Sequence, residues 1–281
     1  MNKKRVILDI LRHVFIVLLC AFWLIPIVWL LATSFSAYPG RNTSDFFPKE
    51  WTLHNYVALF GSDTVANFKA WFMNTFKIAV ACCIVSTLFT IMVAYATSFS
   101  TFKARKPMMN IAVILNLFPG VLAMISVYFI LKALNLTNTH LGLTLVYCAS
   151  SGLGYLIAKG FFDTVPRSLC EAAKLDGASQ ARTFFTIIMP LSKPIIVYTI
   201  ISSFLTPWTD FVFAKMILNS GISDMWTVSI GLYNMLEKSL INSYFSIFCA
   251  GGVVVSIPIS ILFVIMQKFY VDGITGGAVK G

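Results

Sequence analysis

Six long apolar runs divide this chain: Leu11 to Phe35, Phe72 to Ser98, Met108 to Leu131, Leu141 to Phe162, Pro194 to Ile217 and Tyr244 to Phe269. About twenty such residues carry a helix across the roughly 30 Å hydrocarbon core of a bilayer. Inside lipid, every backbone N–H and C=O has to be satisfied within the spanning structure, and segments of this length do so as helices. The runs therefore predict an all-α polytopic membrane protein with six transmembrane helices. Composition agrees, because 58% hydrophobic and 11% charged residues leave too few charges to solvate a globular surface over 281 residues.

The charges that remain are asymmetric. Lysine and arginine total 21 against 11 acidic residues, yet they cluster in short gaps between apolar runs, which argues against a nucleic-acid partner and for a topological role. Lys3, Lys4 and Arg5 precede the first run and Arg12 sits at its start, and Lys103, Arg105 and Lys106 separate the second from the third. Lys159, Arg167, Lys174, Arg182 and Lys193 surround the gap after the fourth, Lys268 lies at the end of the sixth and Lys280 follows it. With an even number of spans these all lie on the side of the N-terminus, so the expectation is that both termini are cytoplasmic. Residues 1–10 are then a cytoplasmic N-terminus, 11–269 a membrane domain containing a cytoplasmic loop at 163–193, and 270–281 a cytoplasmic tail. The apolar stretch Val14 to Ala32 is too long for a signal-peptide core and reads as a retained helix.

The loop 163–193 has its own local logic. Pro166 suits the first turn of a helix, and Ser168 to Leu175 continue it with good helix formers. Asp176-Gly177 then ends the helix, Ser179 caps a second one running through Phe184 and Ile188, and Pro190 and Pro194 stop it. Two short helices meeting at Gly177 make a compact knob. Small Ala172 and Ala173 allow close approach of a partner, and Glu171 can pair with a basic partner residue or with Arg167 one turn earlier.

On the opposite side, Ser36 to Trp71 contains Trp51 to Phe60, whose apolar residues have roughly helical spacing and an aromatic load suited to the membrane interface. Within the spans, Lys77 and Lys132 lie near ends and can snorkel, whereas Asp210 lies well inside the fifth run after Pro207-Trp208-Thr209. Trp208 and Asp210 read either as residues lining a substrate path or as a packed helix kink. Lys215, about 140° further round a regular helix, is poorly placed to neutralise Asp210.

No G-x-x-x-x-G-K-[S/T] phosphate loop occurs, and the histidines at 13, 54 and 140 are far apart. The six cysteines read as small buried residues and not as metal or redox motifs. The expectation is a chain with no enzyme activity, no metal and no cofactor of its own.

Glu171-Ala172-Ala173, then three residues, Gly177, nine residues, Ile187 and Pro190 resemble the signature loop of ABC importer permeases, with Met189 in place of the usual Leu. The resemblance implies that the knob is a coupling helix fitting a cleft on an ATPase subunit, with Glu171, Ala172, Ala173, Asp176, Gly177, Ile187 and Pro190 at that contact. The segment Pro48 to Phe60 is similar to one in sugar importer permeases. The tail Tyr270 to Gly281 and the pair Phe118-Pro119 are similar to the smaller permease subunit of maltose/maltodextrin importers. That likeness implies that Gly276, Gly277 and Lys280 contact the ATPase, and that ATP and magnesium sit on two separate ATPase subunits. It further implies a larger permease partner, an extracytoplasmic sugar-binding protein, an oligosaccharide substrate and a bacterial cell membrane location. A permease for another sugar is the alternative; a secondary transporter would show repeats and ion ligands that are absent here.

Overall fold

The computed structural model describes residues 3–41, 45–61, 67–117, 120–149 and 152–278. Among them it is all helical, with no strand beyond an isolated antiparallel bridge between Ser36 and Trp51. Four helical stretches are long and apolar enough to cross a membrane: Ile7–Ser34, Phe68–Phe99, His140–Phe162 and Ile241–Lys268. Two bent helix pairs bring the number to six if each pair counts as one span. The chain divides into two compact units, residues 1–68 with 231–256 and residues 69–230 with 257–281.

In the first unit, α1 (Lys3–Ser34) leads to α2 (His54–Leu59). None of the apolar window of α1 is buried, the pattern of a helix that meets lipid. The connection after α1 is closed by polar contacts. Asn55, buried at 4% exposure, donates to the carbonyls of Ser34 at 3.0 Å and Ser36 at 2.7 Å. The hydroxyls of Ser34 and Tyr56 lie 2.7 Å apart, and the Ser246 hydroxyl donates to the Tyr38 carbonyl at 2.6 Å. The predicted interfacial helix over Trp51 to Phe60 is shorter than expected. Trp51 pairs with Ser36 across the bridge, and the Thr52 hydroxyl accepts the His54 N–H at 3.0 Å, so the helix begins only at His54.

The second unit holds α3 (Phe68–Phe99, from residue 69), α4 (Arg105–Leu117), α5 (Gly120–Ala133), α6 (His140–Ala149), α7 (Gly152–Phe162), α8 (Ser168–Leu175), α9 (Gln180–Thr183), α10 (Met189–Leu191), α11 (Lys193–Thr209), α12 (Val212–Ile217) and the start of α13 (Val228–Asn234, to residue 230). The last helix, α14 (Ile241–Ala278), contributes residues to both units. The Trp71 indole N–H donates to the Ser223 carbonyl at 2.8 Å, and Asn74 donates to those of Asp224 and Trp226. These bonds tie the loop before α13 to the start of α3.

Two predicted spans are not straight. The third, Met108 to Leu131, is bent by 107° between Arg105–Leu117 and Leu122–Ala133; Phe118 and Pro119 between them lie outside the described residues. The fifth, Pro194 to Ile217, is interrupted: α11 ends at Thr209, Asp210 is extended at φ −78° and ψ 126°, and α12 resumes at Val212. Residues 180–191 and 193–209 meet at 84°, around Ser192.

Candidate functional site: the knob at residues 163–193

The knob is built from local signals, as its sequence predicts. At its base the buried Lys159 ammonium pairs with Asp163 one turn on. Burial pushes the Asp163 carboxyl up, but the hydrogen bond from Lys159 and the charges of Lys159 and Arg105 outweigh it, so its pKa falls below the ordinary carboxylate value. Arg167 donates to the Ser98 carbonyl at 3.4 Å instead of pairing with Glu171; among the described residues Glu171 forms no ion pair.

Pro166 lies just ahead of α8, not inside its first turn, and its carbonyl accepts the Leu169 N–H at 3.2 Å. At the other end the Ala178 N–H reaches the Ala173 carbonyl at 2.9 Å and the Gly177 N–H the Lys174 carbonyl at 3.1 Å. These two bonds make a Schellman closure, which needs a left-handed residue, and Gly177 has φ +78°. Ser179 then caps α9, its hydroxyl accepting the Arg182 N–H at 3.2 Å.

The second helix does not stop at Pro190. It widens to a π turn over Phe184–Ile188, where the Met189 N–H bonds to the Phe184 carbonyl, and continues to Leu191. A proline ring clashes with the carbonyl four residues earlier in a regular α turn, and the wider turn relieves that contact. The inner face is anchored by Phe184 and Ile188 in a buried cluster with Ile91, Ala94, Ala158 and Phe162. Tyr95 stacks on Phe184 at 4.8 Å between centroids.

The predicted contact residues therefore separate. Glu171, Ala172, Asp176, Gly177 and Pro190 are exposed, Ile187 is half-buried against the cluster, and Ala173 is buried at 5% exposure. The expectation that Ala173 offers a surface to a partner gives way to an internal packing position. Sequence reading passed over Leu175, which is 89% exposed beside the turn. Its signal was an apolar side chain between Lys174 and Asp176, directly before the helix stop. A Cβ on Gly177 would meet nothing within 4 Å, so within this chain only φ demands glycine.

The other predicted residues lie elsewhere. Trp208 is buried, with Phe72 at 5.2 Å and Phe204 at 6.0 Å between ring centroids, so its ring is packed and not presented to a solute. Asp210 accepts the Tyr147 hydroxyl at 2.7 Å and the Ala214 N–H at 2.9 Å, and its own carbonyl accepts the Ser229 hydroxyl at 2.6 Å. It caps α12 and joins α6, α11 and the start of α13. Lys215 lies 5.0 Å from the centre of the Trp226 ring. Gly276 and Gly277 fall within α14, and Lys280 lies outside the described residues. Among the described residues no cluster of three or more His, Cys, Asp or Glu is arranged to hold a metal.

Known proteins supply the context for this geometry. The profile of the binding-protein-dependent transport system inner membrane component family matches residues 87–276. The galactooligosaccharides transport system permease protein GanQ of Bacillus subtilis is 31% identical over 282 residues, covering 100% of this chain and 99% of the relative. The maltodextrin transport system permease protein MalD of Streptococcus pneumoniae is 31% identical over 281 residues, covering 99% and 98%. The fold matches the crystal structure of a bacterial ABC transporter involved in the import of the acidic polysaccharide alginate, with a TM-score of 0.76, 21% identity and coverage of 96% of this chain and 99% of that one. The chain belongs to the binding-protein-dependent transport system inner membrane component family, and is a membrane permease component of an ABC importer.

Proposed function

We infer that this chain is one of two permeases in an ATP-driven importer of oligosaccharides, with maltodextrins the first class to test. The supporting observation is the exposed knob closed at Gly177, on a chain whose full-length relatives carry names of galactooligosaccharide and maltodextrin permeases. In this reading the chain crosses the membrane six times with both termini in the cytoplasm. A larger permease completes the pathway, and a sugar-binding protein delivers substrate from outside. Two ATPase subunits bind ATP and magnesium. Their closure moves the knob, with Glu171, Ala172, Leu175, Asp176 and Gly177 touching the ATPase, while Ala173, Ile187 and Pro190 hold its shape. Gly276, Gly277 and Lys280 provide a second contact with the ATPase pair. Rigid-body rotation of the two permeases then exchanges access from one side to the other.

The test reconstitutes this chain with a second permease, the ATPase and a binding protein, and measures saccharide-stimulated ATP hydrolysis for wild type and Gly177→Asp. Loss of stimulation in a variant that still co-purifies supports coupling through the knob, and equal stimulation refutes it. A panel of maltotriose, galactotriose and arabinotriose distinguishes the substrate class.

A further inference from the structure

Among the described residues Lys159 is the only charged side chain that is buried, at 7% exposure. Lys77, Lys132 and Lys193, also near the ends of apolar runs, stay exposed, the usual outcome for a long side chain that can snorkel. Lys159 is instead held on Asp163, and local helix stability does not account for that pair. In an (i, i+4) pair the favourable order puts the acid first, and an acid at a helix C-terminus opposes the helix dipole. Here the lysine comes first, and Asp163 directly follows the last residue of α7. Replacing both members of a buried ion pair by uncharged groups of similar volume is often neutral or stabilising, so stability gives no reason for charge at this place. An ionisable group inside a membrane domain points to a function.

The surroundings show what the pair holds. Ala158 and Phe162, on either side of Lys159 along α7, are buried with Ile91 and Ala94 of α3 and with Phe184 and Ile188 of the knob. Residues 163–167 then lead from α7 into α8, and this connection is fastened at both ends. Asp163 is held by Lys159, with Arg105 at the start of α4 near enough for its charge to act on the same carboxylate. Arg167 is held by the Ser98 carbonyl near the end of α3. Between them the Thr164 and Val165 N–H groups donate back to the Phe161 and Phe162 carbonyls at 3.0 and 3.1 Å, which leaves the connection no slack.

Apolar contacts are non-directional, so the cluster alone lets the knob slide over α3 and α7. A buried ammonium with one carboxylate partner does not slide, because leaving that partner strands an unpaired charge away from water. We propose that Lys159 and Asp163 form a latch that makes the knob and the adjoining ends of α3 and α7 move as one body, so that displacement of the knob reaches the membrane helices. Both are positioning residues, which act through the knob and touch neither nucleotide nor solute. The proposal rests on the coupling reading above and deepens it.

The test compares wild type, the double variant Lys159→Met/Asp163→Asn and Asp163→Glu, each reconstituted into proteoliposomes with the second permease, the ATPase and the binding protein. Uptake of maltotriose, galactotriose or arabinotriose is divided by the ATP hydrolysed, and each assembly is also melted. The double variant removes both charges and keeps both volumes, so it should assemble and melt near wild type. It should nevertheless move about 2- to 30-fold less saccharide per ATP, the range for residues that join coupled sites without touching either ligand. Asp163→Glu keeps the charge and should retain most of the wild-type ratio. A double variant with the wild-type ratio overturns the latch, whether or not it melts lower, and so does a loss that Asp163→Glu shares in full. A double variant that fails to assemble assigns the pair to folding and also overturns it. If Gly177→Asp uncouples and the double variant does not, the latch alone falls; if Gly177→Asp couples as wild type, the knob reading falls and takes the latch with it. If wild type moves no saccharide of the panel, the oligosaccharide reading fails, and with it a latch that serves that transport.

Discussion

Replacing Asp210 by alanine should loosen the break between α11 and α12 by an amount the structure allows to be worked out. The side chain accepts three hydrogen bonds, from the Tyr147 hydroxyl at 2.7 Å, the Ala214 N–H at 2.9 Å and the Phe213 N–H at 3.3 Å. Losing an aspartate cap costs about 1 kcal/mol, with a range of about 0.5–2. Tyr147, at 7% exposure, would also keep a buried hydroxyl without a partner, adding about 1–3 kcal/mol. The sum is about 3 kcal/mol, and at about 2–4 °C per kcal/mol for a chain of this size it lowers the midpoint by about 6–12 °C. Tyr147→Phe leaves the cap intact and should lose about 1–2 kcal/mol. Thermal unfolding of the detergent-purified chain is measured for both single variants and the double variant. Because the residues share a bond, the double variant should fall short of the sum by about 1–2 kcal/mol. Additive shifts, or Asp210→Ala melting with wild type, would refute the assignment of Asp210 as the cap that joins these helices.

Asn55→Leu removes both donors to the Ser34 and Ser36 carbonyls and should lower stability by about 1–3 kcal/mol, seen as faster hydrogen exchange at Ala37 and Thr52. Gly142→Ala should fail to give a monodisperse protein, because its Cβ would sit 2.2 Å from the Leu136 carbonyl oxygen. Gly160→Ala meets nothing within 4 Å and should be neutral or stabilising by up to about 1 kcal/mol, read as an unchanged or raised melting midpoint. The lowered pKa of Asp163 means that its ionised, Lys159-paired form stabilises the fold at neutral pH, and that this contribution is lost only as pH falls through the lowered value. The melting difference between wild type and Asp163→Asn should accordingly shrink in acid; a difference constant from pH 7 to pH 3 would contradict it.

The knob was legible because its instructions are local. Gly177 at the left-handed position, Ser179 as cap and a helix from Ser168 each follow from a residue and its nearest neighbours, and all are present. Ala173 was misplaced because nothing in two adjacent alanines says which one faces the core. Pro190 looked like a stop, yet the π turn before it makes room for its ring. At Asp210 the sequence left two readings, a substrate path or a packed helix kink, and the structure has the kink. What ends the helix there is an aspartate accepting two N–H groups of the next turn and a hydroxyl from residue 147.

The chain's sequence alone determined that it is helical and built for a bilayer, because uninterrupted apolar length and the absence of water leave the backbone no other partner than itself. It also set the knob, whose caps and turn act within a few residues. The tertiary structure alone decided which faces of those helices are inward, where two apolar runs bend, and that Tyr147 and Asp210, 63 positions apart, share a hydrogen bond. Such contacts depend on the packing of distant helices, and the residues that make them carry no mark of it in their own neighbourhood.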